Sequence, residues 1–324
     1  MTVSETRRVG APAPGPVVSL QALSRRFGDL TAVDDLSLDV HPGELFGIVG
    51  PDGAGKTTTL RMLAGVLRPS SGSGMIHGVD VAVDPEGVKP FIAYMSQQFG
   101  LYQDLTVREN IDFYADLYRV PRQDRPPRLE RLYAFSNLGP FEGRLAGNLS
   151  GGMKQKLSLC CALIHQPSLL LLDEPTFGVD PISRRDLWLI LHEMVSEGVT
   201  VLVSTSYLDE AERCDRVALL HSGRILAMDT PSALLNLLPG RVFSVTASHP
   251  RRARDVIRAV PGILGTALFG NTVHVVLPEG EGPEAVLGEA LAGAGLEAEA
   301  IEPVDASLED VFLHLVKAEE AGDE

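Results

Sequence analysis

The sequence is poor in cysteine: 324 residues carry three, at positions 160, 161 and 214. So few thiols exclude a disulfide framework and leave Cys160, Cys161 and Cys214 as buried, reduced side chains. Positive charge is also scarce, with 28 Lys and Arg against 43 Asp and Glu and a formal net charge of −15. A broad basic face is therefore not expected, and neither is a nucleic-acid partner. No apolar run approaches the roughly 20 residues of a spanning helix, and even the run SLLLLDEP breaks at Asp173. Residues 1–16, MTVSETRRVGAPAPGP, lack an apolar stretch and read as a flexible leader, not a secretory signal. No internal repeat is present. What remains is a chain with a 44 % hydrophobic share, long enough for about two domains.

From residue 17 to about 238, apolar β-rich runs alternate with helical patterns, which predicts an α/β domain with a largely parallel sheet. Strands are expected at Leu45–Val49, Ile92–Met95, Leu169–Leu172, Thr200–Ser204 and Val217–Leu220, with a hairpin turning at Ser222-Gly223. Between about 97 and 165 the strand signals fade and a helical subdomain is expected. One of its helices starts at Thr106, where Thr-Val-Arg-Glu matches a capping box ahead of Val107, Ile111, Tyr114 and Tyr118. After Pro239-Gly240 the order over 241–317 is β-α-β-β-α-β plus a helix, a small α+β domain of ferredoxin-like type. The last helix, from Ser307, sets Leu308, Val311, Phe312, Leu315 and Val316 on one side. That stripe either folds back on its own sheet or helps hold two chains together. The acidic tail, 318–324, is expected to fray.

Residues Gly50, Pro51, Asp52, Gly53, Ala54, Gly55, Lys56 and Thr57 satisfy G-x-x-x-x-G-K-[ST], and Thr58 follows. The loop lies between an apolar strand and a helical run, which is where the chemistry needs it. Successive backbone N–H groups and the helix N-terminus converge on phosphate oxygens. Lys56 supplies a point charge to the β- and γ-phosphates of ATP, and Thr57 offers a hydroxyl to Mg²⁺. Asp52 is expected to point away from the phosphates. At LLLLDEP a buried strand ends in Asp173, suited to the Mg²⁺ shell, and Glu174 is placed to polarise an attacking water.

Between these motifs, Leu149-Ser150-Gly151-Gly152-Met153-Lys154-Gln155 opens a helix with a hydroxyl and two glycine N–H groups, an anion-binding start. The stretch resembles the LSGGQ signature of ABC-type ATPases, and residues 17 to about 238 resemble their P-loop nucleotide-binding domain. The resemblance implies that Phe27 stacks on adenine, the alternative being a core phenylalanine. It implies that Gln97 touches Mg²⁺ and the attacking water, and that Asp180 is the D-loop aspartate, although Asp180-Pro181 also reads as a helix cap followed by proline. Ser150, Gly151 and Gly152 would serve ATP held by another copy's Lys56 loop. Such proteins close two cassettes on ATP, so a second nucleotide-binding domain is implied, identical or different. The resemblance also implies an integral-membrane permease docking near residues 97–120, in a stretch rich in aromatics. That would make this a cytoplasmic protein peripheral to the inner face of the membrane. The C-terminal region, ending DASLEDVFLHLV, resembles ATPase subunits of daunorubicin-resistance-type drug exporters. The expected function is the ATP-hydrolysing subunit of an exporter of hydrophobic compounds. A soluble non-transport ABC ATPase and a weakly hydrolysing regulatory module are the alternatives.

One position departs from the family. Where relatives usually carry a switch histidine, this chain has Ser206, whose oxygen falls short of an imidazole's far nitrogen. Ser206-Tyr-Leu-Asp209 also fits a capping box, which is the preferred reading of that hydroxyl. The expected consequence is a site that binds MgATP but hydrolyses it slowly, with a different partner cassette favoured.

Overall fold

The computed structural model describes residues 15–97, 100–278 and 283–322. The leader up to residue 14, Gln98, Phe99 and the last two residues of the acidic tail lie outside them. The chain runs β1 (Val18–Phe27), β2 (Leu30–Val40), β3 (Leu45–Val49), α1 (Lys56–Leu63), β4 (Ser71–Ile76), β5 (Val79–Asp80), α2 (Pro85–Val88) and β6 (Ile92–Met95). Helices α3 (Val107–Leu117), α4 (Arg125–Ser136) and α5 (Gly151–Leu163) follow in succession. Next come β7 (Leu169–Asp173), α6 (Pro181–Ser196), β8 (Thr200–Thr205), α7 (Leu208–Ala211), β9 (Arg216–His221), β10 (Arg224–Asp229) and α8 (Pro231–Leu235). The last part is β11 (Arg241–Ala247), α9 (Pro250–Arg258), β12 (Gly265–Phe269), β13 (Thr272–Leu277), α10 (Pro283–Gly293), β14 (Ala298–Val304) and α11 (Leu308–Gly322).

The central sheet has the order β10-β9-β3-β8-β7-β6 and is parallel except at β10. Strands β3, β7 and β8 are buried along their whole length, so both faces demand apolar side chains and the sequence reads as unbroken runs. Alternate residues serve opposite faces. Phe46, Ile48, Leu169, Leu171 and Leu202 join the core around α1, while Leu45, Val49, Leu170, Leu172, Val201 and Val203 join the core around α5 and α6. The hairpin β9–β10 turns where expected, with Ser222 and Gly223 both left-handed at φ 47° and 85°.

A second sheet, β2-β1-β4-β5, is antiparallel and was not foreseen as a separate layer. Its signal is the alternation Leu36-Ser37-Leu38-Asp39-Val40, buried and exposed in turn. The C-terminal sheet is antiparallel in the order β12-β13-β11-β14, and α9 and α10 cover a core that includes Phe243, Val245, Ile257 and Leu287. That is the ferredoxin-like arrangement expected from the element order.

One expectation for the C-terminus is met and one is corrected. The stripe of α11 folds back on its own sheet and packs on the cassette as well: Leu308, Val311 and Phe312 share one core with Val242 of β11 and Val276 of β13 and with Leu234 and Leu238 at α8. Polar links to the sheet add to this, through His274 Nδ1 to Asp310 (3.1 Å) and Lys317 Nζ donating to the Thr266 carbonyl (3.0 Å). The tail does not fray from residue 318, because α11 continues to Gly322. Glu319 Oε2 meets His221 Nδ1 at 3.0 Å and ties the helix to the end of β9.

Candidate nucleotide site

Gly55 caps α1 at φ 104°, a conformation closed to other residues, and a Cβ there would lie 2.5 Å from the Ala32 carbonyl oxygen. Its lack of a side-chain cap leaves the first N–H groups of α1 for a ligand. Beside this helix start opens a cleft of about 510 Å³ lined by Phe27, Asp52 to Thr58, Gln97, Glu174 and Phe177. Gly50 and Pro51 contribute from beneath. Their carbonyls accept from the Lys56 ammonium at 2.7 and 3.0 Å, and Lys56 is only 4 % exposed.

The two carboxylates stand at the ends of buried strands. Asp173 Oδ1 accepts from Thr57 Oγ1 and from Ser204 Oγ, each at 2.9 Å. The Tyr94 hydroxyl lies 3.4 Å from Asp173 Oδ2, and burial first, then that carboxylate, raises the Tyr94 phenol above its ordinary range. Ser204 and Tyr94 escaped sequence reading because only strand register sets Ser204 opposite Asp173. Thr57 and Asp173 are hard oxygen donors of the kind Mg²⁺ takes. Among the described residues no cluster of three or more acidic, His or Cys side chains could hold a metal by itself. A magnesium ion held by one carboxylate, one hydroxyl and substrate phosphates fits that donor set.

Glu174 adopts a left-handed backbone, φ 49°, which costs on the order of 1 kcal/mol in a residue with a Cβ. The turn is secured by its N–H, which donates to the Ser204 carbonyl and hydroxyl, each at 3.1 Å. It swings the Glu174 carboxylate back over the cleft, 3.2 Å from Lys56 Nζ.

Ser206 is not a helix cap. Helix α7 starts one residue later than the capping-box reading needs, with Tyr207 at its N-cap and no side-chain cap bond. Instead Ser206 Oγ accepts from Lys56 Nζ (3.0 Å) and donates to Glu174 Oε1 (2.7 Å). The parallel pairing of β7 and β8, which sets Asp173 opposite Ser204, brings the residues just past both strands close together. The Ser206 hydroxyl therefore reaches Glu174 directly. Asp52 is corrected too: it lines the cleft and its Oδ1 lies 3.2 Å from Ser206 Oγ, so it does not turn away.

Phe27 is 45 % exposed at the cleft, with the Arg25 guanidinium 4.6 Å from its ring centre, so it is not a core residue. The signature and Asp180 gather elsewhere. Ser150 Oγ accepts the Met153 N–H (3.3 Å) and caps α5, while Asp180 Oδ1 accepts the Ser183 N–H (3.0 Å) and caps α6. That backbone bond first, and the Ser183 side chain next, hold the Asp180 carboxyl below its usual range. Gly152 lets α5 approach α6 closely, as a Cβ there would sit 2.2 Å from Ser183 Oγ. Neither Ser150–Gly152 nor Asp180 lines the cleft that holds Lys56.

A glycine-rich loop on a buried lysine, a strand ending at Asp173 with Glu174 next to it and a serine-capped Gly-Gly helix away from the cleft define an ATP-binding cassette. The family model described as ABC transporter matches residues 33–177. The Nod factor export ATP-binding protein I of Burkholderia pseudomallei is 35 % identical over 304 residues, 93 % of this chain and 97 % of that protein. The daunorubicin resistance ATP-binding protein of Streptomyces coeruleorubidus is 34 % identical over 306 residues, covering 93 % and 95 %. YbhF of Escherichia coli, named as a probable multidrug ABC transporter ATP-binding protein, is 47 % identical over 272 residues, 83 % of this chain. The chain spans about half the length of that relative, 47 %. A solved structure of an ATP-binding subunit of an ABC transporter superposes with a TM-score of 0.62 at 31 % identity, over 68 % of this chain and 92 % of that one. A dimeric cassette solved in a post-hydrolysis state with ADP and Pi superposes at 0.59 with 25 % identity, over 66 % and 98 %. The chain belongs to the ATP-binding proteins of the ABC transporter family.

Proposed function

We propose that this chain binds MgATP in the Lys56 cleft and hydrolyses it when a second cassette closes over the nucleotide, driving export through a separate membrane subunit. The observation that carries this reading is the convergence of Lys56, Glu174 and Ser206, from three segments, within 3.2 Å beside the Thr57–Asp173 pair. In this reading Lys56 holds the β- and γ-phosphate oxygens, the N-terminal amides of α1 bind the same oxygens, and Phe27 stacks on the base. Thr57, Asp173 and Gln97 would hold Mg²⁺, which would supply neutralisation of phosphate charge. Glu174 takes a proton from the attacking water as the γ-phosphorus–oxygen bond to ADP breaks. Ser206 orients the Glu174 carboxylate. Ser150, Gly151 and Gly152, with Asp180, face a partner's nucleotide, in keeping with their position away from this chain's cleft.

Ser206 holds Glu174 but extends no further, so turnover at this site is slow. A Ser206→His variant is expected to raise it by about tenfold, the worth of one added hydrogen bond near 1.4 kcal/mol. Phosphate release measured at saturating MgATP checks this, and an unchanged rate would remove reach as the limit.

The described residues contain no helix long and apolar enough to cross a membrane, so attachment is assigned to a docking surface. Tyr102 and Phe113 are 47 % and 37 % exposed, with ring centres 4.6 Å apart. Aromatic pairs of this kind make good interface anchors. Export is supported by the similarity to the Nod factor and daunorubicin proteins. The test is capture of the chain with an integral-membrane protein from detergent-solubilised membranes. Tyr102→Ala with Phe113→Ala is expected to lose that capture while the MgATP Kd stays within about threefold of the parent's. Loss of nucleotide binding in that variant would instead make these rings core residues.

A further inference from the structure

One buried carboxylate lies outside the nucleotide chemistry described above. Glu210, on α7, is 1 % exposed. Its Oε2 accepts from Thr205 Oγ1 at 2.7 Å and from Thr176 Oγ1 at 2.9 Å. Its Oε1 faces Arg184 Nε at 3.4 Å, and the Arg184 guanidinium lies 4.2 Å from the centre of the Tyr207 ring. Burying a charge is expensive, and a neutral apolar filler would hold α7 in place at lower cost. The partners suggest a more specific use. Thr205 immediately precedes Ser206, and Thr176 follows Glu174 by two residues. Arg184 sits in the first turn of α6, its N–H donating to the Asp180 carbonyl at 2.9 Å. Because Thr205 gives its proton to Glu210, its oxygen is free to accept the Tyr207 N–H (3.1 Å), which fixes the backbone on the far side of Ser206.

We propose that Glu210 is a positioning residue: it ties together, from behind, the loops that carry Glu174, Ser206 and Asp180, and so sets the 2.7 Å contact between Ser206 and Glu174. An anion suits this arrangement, since two hydroxyl donors converge on one oxygen and the Arg184 guanidinium stands at ion-pair distance from the other, without hydrogen-bond geometry. A glutamine offers one oxygen and turns an amide N–H₂ toward either the hydroxyls or Arg184. The connection to α6 also gives Asp180, which belongs to the partner-facing side, a path to the same carboxylate.

The inference rests on the hydrolytic reading above, and the two are separable by experiment. Purified parent, Glu174→Gln, Glu210→Gln and paired Val and Ser variants of Thr176 and Thr205 are compared by melting temperature, MgATP Kd and single-turnover hydrolysis. Glu210→Gln is expected to keep the parental Kd within about threefold while its single-turnover rate falls at least tenfold. Thr176→Val and Thr205→Val should lose rate in the same way, and Thr176→Ser and Thr205→Ser should retain it. Parental hydrolysis by folded Glu210→Gln, or equal losses in the Val and Ser pairs, would overturn the proposal. If the parent's own hydrolysis does not depend on Glu174, the hydrolytic reading fails by itself. The crystal structure of Glu210→Gln then decides the positioning claim: a Ser206–Glu174 contact that opens supports it, and one kept at 2.7 Å overturns it.

Discussion

Lys56→Ala is expected to weaken MgATP binding by about a hundredfold and to lower the melting temperature as well. The first effect follows from removing a charge that meets phosphate in the proposed reading and is shielded from solvent. A desolvated charge-assisted contact is worth about 3 kcal/mol, close to two decades in Kd. The second follows from what Lys56 holds in place. Its ammonium has four oxygens around it, from Gly50, Pro51, Ser206 and Glu174, at 2.7 to 3.2 Å. Without it the Glu174 carboxylate, 7 % exposed, is left without its cation, and an uncompensated buried charge destabilises a fold by about 3–5 kcal/mol. Isothermal titration with MgATP and a thermal melt measure the two effects separately. An unchanged Kd would sink the whole reading of the cleft.

Glu174→Gln is expected to abolish most hydrolysis, by about a thousandfold, and to leave MgATP affinity equal or tighter. A glutamine keeps the size and one oxygen to accept the Ser206 hydroxyl, but it cannot accept a proton from water. Losing a positioned general base costs roughly 10²–10⁴ in rate. Affinity does not fall, because the substitution removes a negative charge 3.2 Å from Lys56 and frees that ammonium for phosphate. Phosphate release and equilibrium binding, run on the same preparation, decide the matter. A rate loss of less than about tenfold would mean that another group takes the proton.

Much of this site is legible in the sequence because its parts are local. The Lys56 loop, the Asp173-Glu174 strand end and the Ser150 helix start each span a few residues, and each has geometry that follows from its own composition. The parallel sheet is legible for the same reason, since strands covered on both faces must be apolar throughout. What could not be read depends on contacts between distant segments. Ser206 fits a capping box on paper, yet its hydroxyl is taken by Lys56 and Glu174, from segments that follow β3 and β7 and that only the sheet order brings alongside. Ser204 and Glu210 are invisible for the same cause, as nothing local distinguishes a hydroxyl facing Asp173 or a glutamate turned inward from surface residues. The stripe on α11 shows its periodicity plainly, but not which core receives it.

The destination of that stripe has a practical consequence. Phe312 meets the His221 ring edge-on, with centres 6.1 Å apart, and Gly223, two residues further on, donates its N–H to the Ala54 carbonyl of the phosphate loop. A chain cut after residue 240 is therefore not a minimal cassette: it uncovers an oily strip along Leu234 and Leu238, and exposed strips of that kind make proteins stick to whatever is near. Self-association in such a fragment would report this raw surface and not a native contact between subunits.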